Sequence, residues 1–280
     1  MSLLDKIKES AKKNGTVIQS SEAQKLETII NRAFFAPTNK DTELEFIRLL
    51  LKRNAGEQGK RKGLHASSLI ATEAEFCLRC QVLSLFYHQL QSEHIPVGLK
   101  RVFEAGNAIH EKYQRLFLRA GFSKPDELDK TQFNQEYMIA FSPDIICRIP
   151  DFYNGVMVGE IKSMNTHLFQ KGTKHPSAYK QLQWYLHLTG INKGFVLLED
   201  KNSQAIRFEI YDYEPTISIV PINRANEIIE RFNELKNTSG KRGMPKKCKE
   251  CDSSQCKKAA SCNMQLSCWG LPGGRIKLEA

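Results

Sequence analysis

No stretch of the 280 residues is apolar over the ~20 positions that a membrane-crossing helix needs. The N-terminus, MSLLDKIKESAKKNG, has lysines but neither a long apolar core nor a small-residue cleavage site, so no secretory signal is read there. These two absences point to the cytoplasm and away from a membrane partner. There is no internal repeat, which removes the stacked-repeat architectures. The chain is not short of apolar residues: 41% hydrophobic and 26% charged is globular composition, which excludes a disordered chain. At this length one large α/β domain with additions, or two modest domains, can bury a core.

Acidic residues are the scarcer charge, 31 against 41 basic, giving a formal net charge of +10. That balance favours a polyanionic partner, because contact with phosphates releases counterions, although basicity alone does not separate DNA from RNA or an anionic membrane. Cysteine is unevenly placed. Of eight, Cys77 and Cys80 form a pair, Cys147 stands alone, and Cys248, Cys251, Cys256, Cys262 and Cys268 crowd near the C-terminus. Without an export signal, such crowding reads as metal ligation rather than a disulfide scaffold.

Residues 1–55 have helical periodicity, through Leu26, Ile29, Ile30 and Phe34 and then Leu44, Phe46, Ile47, Leu50 and Leu51. NAGEQGKRKG, residues 54–63, reads as a loop or hinge. Ser67 or Ser68 is positioned to cap a helix carrying Leu69, Ile70, Phe76 and the first cysteine pair. A second helix is predicted from about Val97 to Ala120. DIICRI is followed by YNGVMVGEIKSM, whose Asn154-Gly155 step suggests a hairpin turn between short strands. Residues 177–189 read as a helix, KGFVLLED and AIRFEIY as strands, and 218–236 as a last long helix. The order helix, strand, strand, helix, strand, strand, helix indicates an α/β fold with a central mixed sheet flanked by helices. The expected organisation is a helical N-terminal extension over 1–62, a core over 63–240 and a cysteine-rich metal-binding lobe over 241–280.

One constellation carries chemistry. Asp144 lies between a turn and an apolar run. Glu160, Ile161 and Lys162 follow the apolar run Val156 to Gly159, and on a strand Glu160 and Lys162 project to the same face. Two carboxylates and a backbone carbonyl make a hard, all-oxygen site for Mg²⁺ or Mn²⁺. Such an ion neutralises charge developing on a phosphate and lowers the pKa of a bound water. Lys162 suits electrostatic stabilisation, since acting as a base would require a strongly lowered pKa. By itself an acid-x-lysine triplet is common and is mostly a surface pair. Two further elements accompany it. Gly106 and His110 stand one helical turn apart, and His110 can ligate metal through a neutral ring nitrogen. Gln181 and Tyr185 share a helix face and can reach a phosphate or water.

Taken together, Gly106/His110, Asp144, Glu160/Lys162 and Gln181/Tyr185 resemble the PD-(D/E)XK nuclease superfamily in its RecB-like branch, which includes Cas4 proteins, AddB-type helicase–nuclease subunits and phage or organellar exonucleases. The resemblance covers about residues 65–268. It implies a restriction-endonuclease-like core in which His110, Asp144, Glu160 and the Ile161 carbonyl hold Mg²⁺ or Mn²⁺, Lys162 is the catalytic lysine, and Gln181 and Tyr185 position substrate. The implied activity is a deoxyribonuclease, an exonuclease hydrolysing phosphodiester bonds at linear DNA ends or in single strands during recombination, repair or replication. A phage origin fits a compact nuclease of this kind and would place it in the host cytoplasm. Two alternatives are a Cas4-like nuclease of CRISPR adaptation and a noncatalytic nucleic-acid-binding module with a nuclease-like fold.

The spacing Cys248-x₂-Cys251-x₄-Cys256, followed by Cys262 and Cys268, matches a self-contained structural Zn²⁺ site. The resemblance implies instead a [4Fe–4S] cluster joining Cys77 to Cys248, Cys251 and later cysteines, Cys256 and Cys262 competing for similar roles. Cys268 is also possible in that scheme, Cys80 is left over, and Cys147 reads as a buried apolar residue. Lys241, Arg242, Lys246, Lys247, Lys249, Lys257 and Lys258 crowd the approach and suit a phosphate backbone or simply solubility. Phe169, Tyr179 and Trp184 are candidates for base stacking or for the core.

Overall fold

A computed structural model of the protein describes residues 20–54, 63–86, 97–128, 131–238, 244–248, 250–260, 262 and 264–270. Residues 1–19, the predicted loop between 55 and 62, and Lys241, Arg242 and Lys249 lie outside the described residues. In chain order the first elements are α1 (Ser21–Ala33), α2 (Lys40–Asn54), β1 (Leu64–His65), α3 (Ala66–Leu69), α4 (Leu78–Phe86) and α5 (Val97–Arg119). After a 3₁₀ turn come β2 (Gln132–Asn134), β3 (Ile139–Phe141), β4 (Ile145–Ile149), β5 (Tyr153–Met164), α6 (Thr166–Gln170) and α7 (Pro176–Thr189). The last are β6 (Lys193–Asp200), β7 (Ile206–Asp212), α8 (Pro215–Asn237), α9 (Lys257–Ala260) and α10 (Gln265–Trp269). No helix among the described residues is long and apolar enough to cross a membrane.

Contacts divide the chain into two units. The first is built from the described residues of 20–54, 97–128 and 142–214. It holds a four-stranded sheet of order β4-β5-β6-β7, with β4–β5 and β6–β7 antiparallel and β5–β6 parallel. The sheet is therefore mixed, as expected. Helices α1 and α5 pack on it with Leu26, Ile30, Tyr113 and Phe117 against Ile161, Phe195, Leu197 and Phe208. Helix α7 packs on β5 and β6. Covered on both faces, β6 buries every residue from Gly194 to Asp200, which is why its sequence runs apolar without alternating. Close packing here demands small residues: a Cβ on Gly194 would meet the Val158 carbonyl oxygen at 2.7 Å and Leu182 at 2.8 Å.

The second unit comprises the described residues of 63–86, 131–141 and 215–270. It has a three-stranded sheet of order β1-β3-β2, helix α4 packed on α8, and a small core of Leu83, Met264 and Cys268. Arg224 from α8 donates to the carbonyls of Leu69 (2.8 Å) and Ala71 (2.6 Å), fixing the loop that leads to Cys77.

Two local expectations change. The helix expected from Ser67 or Ser68 through the cysteine pair is instead two helices, α3 and α4, and Cys77 precedes the second. Thr72 and Glu75 explain the break: the Glu75 carboxylate accepts the Thr72 amide at 3.1 Å and its hydroxyl at 2.8 Å, a local loop that competes with helix. The Asn154-Gly155 step is not a turn but lies inside the 12-residue β5. The turn falls earlier, where Phe152 donates its amide to the Ile149 carbonyl at 2.9 Å and Pro150 presets the backbone.

Candidate active site

The site forms where β4 begins. Ile145 faces Gly159 across the β4–β5 pair, so Asp144, one residue earlier, falls opposite Glu160. A side chain on Gly159 would strike the Phe195 ring at 2.5 Å, so glycine lets that ring close the sheet directly beneath the acids. Asp144 is fixed by both oxygens: Oδ2 accepts the Ile161 amide at 2.7 Å, and Oδ1 lies 3.2 Å from His110 Nδ1. In an extended strand a residue's amide and carbonyl point to the same edge, so the Ile161 carbonyl faces the Asp144 side as well.

Glu160 is fully buried. One of its oxygens takes the Lys162 ammonium, its same-face neighbour two residues on; the other, Oε2, has no hydrogen-bond partner among the described residues. Burial, with the Asp144 charge added, pushes the Glu160 carboxyl up to about 7, while Lys162 and His110 offset only part of this. An acid left half-satisfied beside a second acid is costly unless a cation completes it. Lys162 moves the other way from a base. Burial opposes its charge, but the Glu160 and Asp144 carboxylates outweigh burial and raise its pKa, holding the amine as ammonium. His110 is likewise raised: burial lowers it, and the Asp144 hydrogen bond with the Asp144 and Glu160 charges more than compensates. With Nδ1 turned to a carboxylate, the neutral imidazole keeps its proton there and its lone pair on Nε2.

Helix α5 brings His110 to this place, and it carries a residue that the sequence pattern passed over. Gln114, one turn after His110 and fully buried, donates from Nε2 to the Asp144 carbonyl at 3.0 Å. The helix thus grips Asp144 by side chain and main chain. A glutamine among the buried Tyr113, Leu116 and Phe117 is the signal that could have revealed it. The helix is anchored in turn by Glu199 on β6, on which the Lys112 ammonium and the Tyr113 hydroxyl converge. Gly106 sits one turn before His110, and outside its own helix no atom among the described residues lies within 4 Å of where a Cβ would be.

Gln181 donates to the Tyr185 hydroxyl at 2.9 Å, so this pair comes together on α7, the helix packed on β5. Trp184 is fully buried with its ring stacked on His187, which makes it core and not a base-stacking platform. Phe169 lies under the Arg207 guanidinium, and Tyr179 leans on Tyr211 while donating to Glu214 at 2.6 Å. Cys147 is buried, as expected.

In the second unit a cavity of about 230 Å³ is lined by Cys77, Cys80, Cys248, Cys251, Cys262 and Cys268. Cys80 and Cys262 Sγ are 3.6 Å apart. Their shared hydrogen bond and burial raise Cys80, and the same bond draws Cys262 down to about 6. Cys256 is not among the lining residues; its sulfur accepts the Ala259 amide at 3.2 Å and it neighbours Cys251. Cys80, left over in the family scheme, is thus in the cavity wall together with Cys268; the Cys77-x₂-Cys80 spacing was the available signal. Of the basic residues, Lys247 covers the Trp269 ring at 3.5 Å and Lys258 binds Glu250 at 3.2 Å, while Lys246 and Lys257 are exposed. Among the described residues no three His, Cys, Asp or Glu side chains are already closed into a metal cage.

No family model and no curated protein matches the chain. Among solved structures it is similar to LHK-Exo in complex with dAMP, at 16% identity and TM-score 0.45, over 66% of this chain and 96% of that one. It is also similar to the alkaline exonuclease LHK-Exo from Laribacter hongkongensis (17%, TM-score 0.42, 65% and 95%) and to SSO0001 (19%, TM-score 0.41, 71% and 93%). At such identities and TM-scores the chemistry rests on the side chains themselves.

Proposed function

We propose that the protein is a Mg²⁺- or Mn²⁺-dependent deoxyribonuclease of the PD-(D/E)XK type, hydrolysing phosphodiester bonds in DNA. The observation that carries this reading is the fully buried Glu160, with one oxygen on Lys162 and the other unpartnered among the described residues, opposite an Asp144 already held by His110 and the Ile161 amide. The donor set of two carboxylates, a carbonyl and an imidazole suits a small hard cation. Glu160, Asp144, the Ile161 carbonyl and His110 would hold it, and when bound it would supply Lewis acidity and a more acidic water.

The chain's own contribution is charge placed in advance. Lys162, held as ammonium, stabilises negative charge gathering on phosphorus oxygens, and needs no reorganisation because Glu160 already orients it. Gln181 and Tyr185 offer an amide and a phenol for positioning a phosphate. The net charge of +10 supports a nucleic-acid substrate, and DNA ends or single strands are the substrates that the motif resemblance implies. The thiol cavity fits a structural metal centre, [4Fe–4S] or Zn²⁺, since its donors are soft sulfurs and none of them is in a disulfide.

The test is digestion of end-labelled linear single- and double-stranded DNA with Mg²⁺, Mn²⁺ or excess chelator, alongside Glu160→Gln. Metal-dependent shortening from the ends, absent in the variant, is expected. Cleavage that survives chelation or the Glu160→Gln change removes the assignment.

A further inference from the structure

We propose that Cys80 and Cys262 are ligands to one and the same metal ion, so that the thiol cavity holds a zinc-type centre with two thiolates on a single ion. The inference concerns the thiol cavity alone and stands or falls separately from the hydrolytic reading.

Distance is the first ground. With a metal–sulfur bond of about 2.3 Å and tetrahedral angles, two thiolates on one zinc lie roughly 3.8 Å apart. Cys80 and Cys262 Sγ are 3.6 Å apart. In a [4Fe–4S] cube each iron takes one cysteine, which sets protein sulfurs at different corners and much farther from one another. The Cys80–Cys262 spacing matches a shared ion and not two corners of a cube.

The second ground is the local frame. Cys77 and Cys80 have the C-x₂-C spacing of a chelating turn, and the Cys80 amide already donates to Cys77 Sγ at 3.4 Å. Between them Arg79 donates to the Pro245 carbonyl at 2.8 Å and the Cys268 carbonyl at 3.4 Å, tying this turn to the segment that carries the other thiols. The matching turn at Cys248-x₂-Cys251 is closed by the Cys251 amide on the Cys248 carbonyl at 2.9 Å. Lys247 and Lys258 line the same cavity and offset thiolate charge.

The experiment uses the full chain purified anaerobically, with metal content and acid-labile sulfide measured per chain. Cys80→Ser, Cys262→Ser and Cys80→His are compared by Co²⁺ titration, read by thiolate-to-cobalt charge-transfer absorption, with thermal unfolding as the folding control. Expected are bound zinc, no sulfide, at least a ~10-fold loss of Co²⁺ affinity in Cys80→Ser and Cys262→Ser, and recovery in Cys80→His because imidazole can replace a thiolate. Stoichiometric sulfide with iron, or Cys80→Ser loading as the parent does, overturns the proposal. If Cys80→Ser does not fold, Cys80→His decides: folded and metal-loaded supports the shared ion, folded and metal-free overturns it, and failure of both variants counts against Cys80 as a replaceable ligand.

Discussion

Asp144 stands opposite Glu160 across β4 and β5, and its Oδ2 accepts the amide of Ile161 at 2.7 Å. The backbone of one acid's strand therefore sets the position of the other acid, and neither can drift without the sheet. Glu160→Gln keeps this shape while removing the charge. Its expected effect is a loss of cleavage by at least ~10²-fold with DNA affinity, measured by fluorescence anisotropy, within about twofold of the parent. Equal activity would detach Glu160 from the chemistry.

The same residue sets a pH dependence of stability. Folding raises the Glu160 carboxyl from 4.5 to about 7, chiefly through burial and then the Asp144 charge. Between those values the folded chain keeps a proton that the unfolded chain has lost, so stability falls as pH rises through this window and levels off above about 7. Denaturant titrations of metal-free protein should show that decline, and Glu160→Gln should reduce it to the part that the raised His110 contributes, being more stable than the parent at pH 8 by a few kcal/mol. Mn²⁺ should raise the melting temperature more at pH 8 than at pH 6, because ligation requires the ionised acid. A flat parent profile would mean that Glu160 is ionised throughout.

Much of this arrangement was legible in the sequence, and the reasons differ by element. Strands β6 and β7 were read closely because KGFVLLED and AIRFEIY are apolar or alternating and bounded by polar loops, and the Glu160/Lys162 pairing follows from strand period alone. The convergence of Asp144 with Glu160 needed register, which depends on where the β4–β5 turn falls; Asn154-Gly155 has the better turn residues, yet Pro150 wins, because the turn there leaves the apolar face of β5 aligned on β4. Gln114 was passed over because a polar residue on a helix reads as solvent-facing until the helix is seen to be buried. Cys80 was passed over because the family scheme needs one early cysteine and spacing alone does not say which.

Lys162 is held charged by two carboxylates, so its service is electrostatic. Lys162→Gln should lower the cleavage rate ~10²–10³-fold, and Lys162→Arg should recover part of it, since charge is retained and only shape is lost. Cleavage rates across pH 6 to 9, corrected for metal binding, should show no limb from this amine. A parent rate climbing tenfold per pH unit through pH 9 would make the free amine the active form instead.

Two glycines should respond in opposite directions. Gly194→Ala forces a methyl against the Val158 carbonyl oxygen, which is backbone and cannot rotate away, so a loss of roughly 1–3 kcal/mol is expected in chemical denaturation. Gly106 has open space where a Cβ would sit and lies within a helix, so Gly106→Ala should stabilise by about 0.5–1 kcal/mol. If that open side receives DNA, Gly106→Leu will fold normally yet raise KM for DNA several-fold; an unchanged KM would leave the glycine without a role in binding.

Gln114 separates positioning from stability. Its Nε2 holds the Asp144 carbonyl at 3.0 Å, while its Oε1 is buried without a hydrogen-bond partner among the described residues. Gln114→Met retains the volume, loses one hydrogen bond and removes one unsatisfied acceptor, two changes of similar size and opposite sign, so unfolding free energy should move by less than about 1 kcal/mol. Asp144 would then be held by His110 and the Ile161 amide alone. Mn²⁺ affinity, followed by isothermal titration, should fall ~10-fold, with kcat reduced and KM for DNA little changed. Should Gln114→Met bind Mn²⁺ as the parent does, the grip of α5 on Asp144 would run entirely through His110.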